Sequence, residues 1–459
     1  MLKKNNIHNY FTIFLSLHLV IWTLVPTYSN INLPLDTIEA LAWGSNLEWG
    51  FNKHPPMSAF VVEFFFQLFG NQDWAYYFLS QICIVISFIF IWKLSNNFFK
   101  DKIFSLLSVL ILEGIVFLNY TTPEFNVYVC QLPFKVLSVY YCWKCTTKDK
   151  TIDWILLGIF SALGFLTHYS FVFLMSAIII FFIIKILKEK KINYKYLISI
   201  LTFFLFITPH LIWLYENDFI TITYAFGRTG IENKEIFNHV LNPLKFIVKQ
   251  FGMLIPLLFM FLIIFSKKKN IKKINFIDKK LLFLVCINII PIIFIFLISF
   301  LTGAKIRTMW MSTFYLFFGI LLFYFFKSSI NLKKINNFIF IFIFLFFLSP
   351  ITYFYISSTN DYKRTDYPGK EIARLVKNKW DQNFSNEILI VVGDEWFAGN
   401  LSYHLASRPK WFISLEKNIE KINNNEGVIY VGNPKVLKKL CPGVFGKIDP
   451  VGYCMIGKK

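Results

Sequence analysis

Asp36, Glu39 and Trp43 recur at three- and four-residue spacing within Leu35-Asp36-Thr37-Ile38-Glu39-Ala40-Leu41-Ala42-Trp43-Gly44. On a helix, residues so spaced share one face, and two carboxylates and an indole point the same way. Paired carboxylates beside an aromatic suit general-base chemistry on a sugar-sized acceptor. One takes the proton from a hydroxyl or amine, while the other positions it or tunes the pKa. A solvated amphipathic helix lying on a membrane surface has the same spacing, so spacing alone leaves both readings open. Downstream, Glu48-Trp49-Gly50-Phe51-Asn52-Lys53-His54-Pro55-Pro56 adds a lysine and a histidine. The proline pair ends the segment and fixes the chain that follows.

The elements that must position these groups are membrane helices. Of the 459 residues, 56% are hydrophobic and 20% aromatic, more apolar surface than a soluble chain of this length can hide. Apolar runs fall near 10–25, 75–92, 103–119, 125–143, 154–169, 171–186, 196–214, 247–266, 281–301, 309–326 and 338–356. Read by length, with the first run uncleaved, they predict about eleven crossings. Only Thr167-His168-Tyr169-Ser170 separates 154–169 from 171–186, which makes that pair the weakest division. The formal net charge of +20 does not point to nucleic acid, because the lysines cluster between apolar runs rather than on one soluble face.

Charge placement sets the orientation. With a cytoplasmic N-terminus, one set of loops carries Lys93, Lys100 and Lys102, then Lys144, Lys148 and Lys150, then Lys185 to Lys191. The same set carries Lys267 to Lys269 with Lys272 and Lys273, and then Lys327, Lys333 and Lys334. The other loops hold Asp36, Glu39, Glu48, Glu124, Glu216 and Asp218. The positive-inside rule puts this second set outside, and an odd number of crossings puts the C-terminal tail there too.

The division is therefore a transmembrane domain at 1–356, with its first outer loop at 27–74, and an extracytoplasmic α/β domain at 357–459. In that tail, helical patterning at Gly369–Lys379 precedes strand-like runs at Glu387–Val392 and Gly427–Val431. Cys441 and Cys454 lie in it and are able to pair if that side is oxidising. The Cys142-x-x-Cys145 pair reads as small hydrophobes at a helix end.

The motif D-x-x-E-x-x-x-W-G followed by W-G-F-x-K-H-P-P resembles the first loop of bacterial members of glycosyltransferase family 39. These are relatives of the protein O-mannosyltransferases and of the lipid A aminoarabinose transferase. Further resemblances follow in order along most of the chain. Thr121-Thr122-Pro123-Glu124-Phe125-Asn126 is similar to the family's acidic motif at the outer end of the third span. Gly164-Phe165-Leu166-Thr167-His168-Tyr169 resembles its G-x-x-L-x-K-Y, with His168 replacing the lysine. Pro209-His210-Leu211-Ile212-Trp213 with Asn217-Asp218-Phe219 is similar to a later stretch. Gly393-Asp394-Glu395-Trp396 through His404, with Ser407-Arg408-Pro409, resembles the tail motif of one subgroup.

The resemblance implies a mainly α, GT-C-type fold with an active site under the outer loops and a sugar donor carried on a polyprenyl phosphate. It puts Asp36 in the place of the general base, with Glu39 and Glu124 as further site carboxylates. Trp43 and Asn126 are the expected acceptor or sugar contacts. A lipid phosphate leaving from the anomeric carbon calls for positive charge. Lys53, His54 and His168 are candidates, as are Arg228, Lys305 and Arg307, basic residues on the side where few are found. Snorkelling to headgroups is the alternative for the lysines and arginines.

Motifs of the H-E-x-x-H, Walker, G-x-G-x-x-G and D-x-D kinds are absent from the sequence, so no metal and no cofactor is expected. The expected activity is sugar transfer to a membrane lipid or glycolipid of the envelope, lipid A or lipopolysaccharide first, at the outer face of the inner membrane. Protein O-glycosylation and a transporter for lipid-linked glycans are the alternatives. The expected spans are nearly free of charge, which tells against transport.

Overall fold

The structure, a computed structural model, describes residues 6–229, 236–266, 278–311, 313–414 and 426–459. The lysine cluster at 267–273 lies outside the described residues. Helix α1 (Ile7–Ser29) leads into two short helices, α2 (Leu35–Gly44) and α3 (Met57–Phe69), and then into α4 (Asp73–Phe98). α5 (Lys102–Leu110) continues as two 3-10 turns, and α6 (Val127–Thr147) packs on α7 (Thr151–Phe165) and precedes α8 (Phe171–Glu189). α9 (Tyr196–Glu216), α10 (Ile220–Thr229) and α11 (Asn238–Ile264) follow. α12 (Lys279–Thr302), α13 (Phe318–Phe325) and α14 (Ile335–Thr359) complete the helical domain.

Among the described residues, seven helices are long and apolar enough to cross a membrane, namely α1, α4, α8, α9, α11, α12 and α14. The expected spans near 103–119, 125–143, 154–169 and 309–326 take other forms. The first is broken at Glu113-Gly114, where a Cβ on Gly114 would meet the Leu257 backbone nitrogen at 2.6 Å, so α11 packs directly on the break. The last is a 3-10 turn followed by the eight-residue α13, whose Gly319 sits against the Ser108 carbonyl of α5. The other two are α6, 21 residues long and carrying Lys135 and Lys144, and α7, 15 residues long.

Two charged residues are buried in segments expected to be nearly free of charge. Glu113 lies 3.7 Å from His18 of α1. Lys135 of α6 reaches the Thr313 hydroxyl and lies 3.7 Å from the centroid of the Phe314 ring. Each is buried with polar or aromatic partners, the only arrangement that makes an ionisable side chain tolerable at that depth.

The tail folds as α15 (Gly369–Asp381), β1 (Ile388–Val392), α16 (Phe397–His404), β2 (Lys410–Phe412) and β3 (Gly427–Gly432). α17 (Pro434–Leu440), β4 (Val444–Ile448) and β5 (Val451–Ile456) close it. The sheet order is β2-β1-β3-β5-β4, with β1 parallel to β2 and β3, and β5 antiparallel to β3 and β4. Cys441 and Cys454 form a disulfide between the end of α17 and β5.

This domain is pressed onto the start of the helical domain. Gly399 of α16 is close enough to α2 that a Cβ there would lie 3.1 Å from that of Ala42. Arg408 donates to Glu63 of α3 at 2.7 Å and to the Leu41 carbonyl at 2.6 Å, with its guanidinium over the Phe66 ring. Tyr403 donates to Asp73 at the start of α4 at 2.6 Å. One apolar cluster runs through Ile38, Leu41 and Trp43 into Val376, Leu401 and Tyr453, so α2 is clamped between the two domains.

Candidate active site

The site grows from the N-terminus of α2. Pro34 precedes the helix with extended dihedrals, and Asp36 stands in the first turn, where backbone N–H groups lack helical partners. One of those donors is used by the second chain segment of the site. The Asp36 N–H donates to Glu124 Oε1 at 3.1 Å, and the Thr37 hydroxyl donates to the Phe125 carbonyl at the same distance. Asp36 and Glu124 are thereby held together although they are far apart in sequence.

Two carboxyls in one confined place raise each other's pKa. Burial first, and then Glu124, push Asp36 up to about 7, with Lys53, Arg364 and Arg228 pulling the other way. Glu124 is raised by burial against the Asp36 N–H, and Glu39 is raised by burial against Lys53. Asp36, Glu39 and Trp43 line one cavity with Ala40, His54, Ser58 and Val127. Its volume of about 10 Å³ has room for about one water and not a sugar ring, so substrate entry requires these residues to part.

Lys53 is held by carboxylates. Its Nζ lies 2.9 Å from Glu39 and 3.1 Å from Glu395, which also accepts from Asn52 at 3.3 Å. Burial works against the ammonium, but the bonds and charges of Glu39 and Glu395 outweigh it and raise the Lys53 pKa. A phosphate at Lys53 therefore has to compete with two carboxylates already in place.

His54 answers differently from the expected cation. Burial first, then His168 and Lys53, hold its pKa well below the ordinary histidine value, so it is a neutral imidazole at physiological pH. It offers a phosphate one hydrogen bond and no charge. The His54 and His168 rings lie 5.4 Å apart, with Tyr128 Oη 3.4 Å from His168 Nε2 and Ser170 Oγ 2.9 Å from His168 Nδ1.

Asn126 has a capping role. Its side-chain oxygen accepts from the N–H groups of Tyr128 and Val129, both at 3.0 Å, which engages it as the N-cap of α6. Trp43 is 2% exposed and stacks on Phe51, and its indole N–H has no partner among the described residues. The Ser58 hydroxyl is also buried without a partner among them. Two orphaned polar groups on one cavity wall are what a ligand hydroxyl would satisfy.

The remaining basic candidates divide. Arg228 bears electrostatically on Asp36 and His54, and Arg307 on Tyr128. Lys305 lines a second cavity with Lys245 and Lys249. The site also has members that spacing did not suggest. Glu395 and Arg364 arrive from the tail, and only the motif around Gly393-Asp394-Glu395 gave any signal. Ser58, a lone serine after the proline pair, gave none.

Residues 53–213 match the family described as dolichyl-phosphate-mannose-protein mannosyltransferase. The fold aligns with that of ArnT from Cupriavidus metallidurans bound to undecaprenyl phosphate, with a TM-score of 0.65 and 9% identity over 97% of this chain and 98% of that one. The apo state of ArnT from the same organism aligns with a TM-score of 0.60, at the same identity and coverage. No curated protein matches the sequence. At 9% identity the structural likeness speaks for the fold, and the family match speaks for the domain. Residues 53–213 thus resemble the dolichyl-phosphate-mannose-protein mannosyltransferase family of glycosyltransferases, and they sit in a chain whose fold is that of ArnT.

Proposed function

We propose that the protein transfers a sugar from a polyprenyl-phosphate donor to an envelope glycolipid, lipid A or lipopolysaccharide first, with Asp36 as general base. The observation that carries this reading is the Asp36 carboxyl, raised to about 7 beside Glu124 and facing a cavity with Glu39 and Trp43. A base poised near the working pH balances the fraction ionised against the drive for proton transfer. In the step, Asp36 takes the proton of the acceptor hydroxyl or amine as that atom bonds to the anomeric carbon. The bond from that carbon to the phosphate oxygen breaks, and the electron pair leaves with the polyprenyl phosphate. A single displacement inverts the anomeric centre, by analogy with inverting glycosidases.

The leaving phosphate takes its positive field from Lys53, Arg228 and Arg307. His54 and His168 contribute hydrogen bonds beside them. ArnT crystallised with undecaprenyl phosphate supports a carrier of that class.

An outer-face site has two supports. Glu124, which accepts from the Asp36 N–H, lies just before the N-terminal end of α6, while Lys144 lies near the C-terminal end of the same helix. Lysines mark the cytoplasmic end of a membrane domain. The Cys441–Cys454 disulfide suits an oxidising compartment. A protein acceptor is the second reading, favoured by the description of the matched family.

The test is the mass of lipid A and core glycolipid extracted from cells lacking the gene and from the same cells given wild type or Asp36→Asn. The expected result is a loss of one sugar mass that wild type restores and Asp36→Asn does not. Unchanged glycolipids with a lost sugar on secreted proteins would move the acceptor to protein. Full restoration by Asp36→Asn would overturn the base assignment.

A further inference from the structure

Lys305 belongs to a cavity of about 300 Å³ that shares no lining residue with the one around Asp36. Its walls are the N-terminal half of α11 and the turn Gly303–Ile306 that follows α12. Lys245 and Lys249 stand four residues apart on α11, so they share a face, and Lys305 comes from the turn. Like charges at that spacing repel unless a counter-charge sits between them. None of the described lining residues is acidic, and the three lysines, all exposed, form no ion pair among the described residues. Phe246, buried at the wall, adds an apolar side, while Asn242 braces the turn by donating to the Gly303 carbonyl at 2.7 Å.

Depth narrows the ligand. The 27 residues of α11 extend about 40 Å, against about 30 Å of hydrocarbon, so its ends reach the headgroup layers. Centred in the bilayer, α11 puts Lys245 about 5 Å and Lys249 about 11 Å below the interface of one leaflet, from where lysine side chains snorkel toward the headgroups. It is the leaflet on the active-site side, because α11 follows α10, whose Arg228 acts on Asp36. Lysines are scarce on that side by the orientation read from the loops, and three exposed ammonium groups around one concavity make a field that attracts an anion. Ammonium groups meet phosphate oxygens as point charges and do not demand a fixed geometry.

We propose that this cavity is a second lipid site that binds the phosphate of a lipid in the leaflet facing the active site, through Lys245, Lys249 and Lys305. Its volume suits a phosphorylated headgroup with the acyl or prenyl chains left in the bilayer. The phosphate belongs either to the polyprenyl carrier or to a membrane glycolipid or phospholipid, and the chemistry at the three lysines is the same. Binding here does not depend on the Asp36 reaction, so the two assignments fail separately.

The test uses the purified full chain in phosphatidylcholine nanodiscs, each doped at equal mole fraction with undecaprenyl phosphate, phosphatidylglycerol or lipid A. Native mass spectrometry counts the lipids retained. Wild type is expected to retain at least one doped lipid in preference to phosphatidylcholine. Lys245→Gln/Lys249→Gln/Lys305→Gln is expected to weaken that retention by about ten-fold or more. The corresponding triple arginine variant, which keeps the charge, should retain it and shows that the surface tolerates substitution. Asp36→Asn should leave this retention in place. Preference for undecaprenyl phosphate would identify the carrier, preference for lipid A the acceptor, and equal retention a general headgroup site. Equal retention by wild type and the triple glutamine variant, or no preference over phosphatidylcholine, would overturn the proposal.

Discussion

A carboxyl works as a base only while ionised, so the Asp36 environment sets the pH at which the site can act. Burial and Glu124 raise Asp36 to about 7, which leaves it about half protonated at neutral pH. The kcat/KM for transfer is therefore expected to climb with pH up to about 7 and then level. Glu124→Gln removes the second cause and should shift that limb to lower pH. A pH–rate profile of the purified protein and this variant checks it, and an acid limb at the ordinary aspartate value would contradict it. Linkage gives a control. Folding raises this pKa, so the contribution to stability is full below the unfolded value and is lost as pH rises through about 7. Asp36→Asn, which carries no charge, should not lower stability at pH 8, and lost activity would then be chemical.

Some of this was legible in the residues alone. A three- and four-residue rhythm is enough to aim Asp36, Glu39 and Trp43 at one cavity, because helical geometry fixes their direction. The partners of Lys53 were not legible. Glu395 reaches it from the far end of the chain, and no local pattern encodes such a contact. Nor does residue type reveal a cap, the role in which Asn126 holds the start of α6.

At the scale of elements, hydropathy located apolar segments but not their breaks. Segment 103–119 has the composition of a span, yet α11 approaches its backbone at Gly114, and only the packed structure reveals that demand. The tail behaved likewise. Runs rich in β-branched residues marked β1 and β3, whereas β2 has three residues and β4 contains a glycine and a lysine, too little pattern to read. Arg408 and Glu63, both largely buried, form the ion pair among the contacts that dock that tail on α2 and α3. Removing one partner of such a pair strands the other charge, at a cost of roughly 3–5 kcal/mol. Arg408→Met is expected to lower the Tm of the purified protein, and Glu63→Gln in the same background should recover part of the loss. An unchanged Tm would show that the contact does not hold the domains together.

At the scale of the whole molecule, the helices set two chemistries at one end. Carboxylates gather where α2 meets the start of α6, and lysines gather beside the start of α11. The tail domain packs on α2 beside the first. The most direct measurement is transfer of labelled sugar from a synthetic polyprenyl-phosphate donor to lipid A by the purified chain. Wild type is expected to move label to the lipid, and Asp36→Asn to do so about 10²–10⁴-fold more slowly. Transfer at the wild-type rate by Asp36→Asn, or no transfer by wild type to lipid A or to any peptide acceptor, would contradict it.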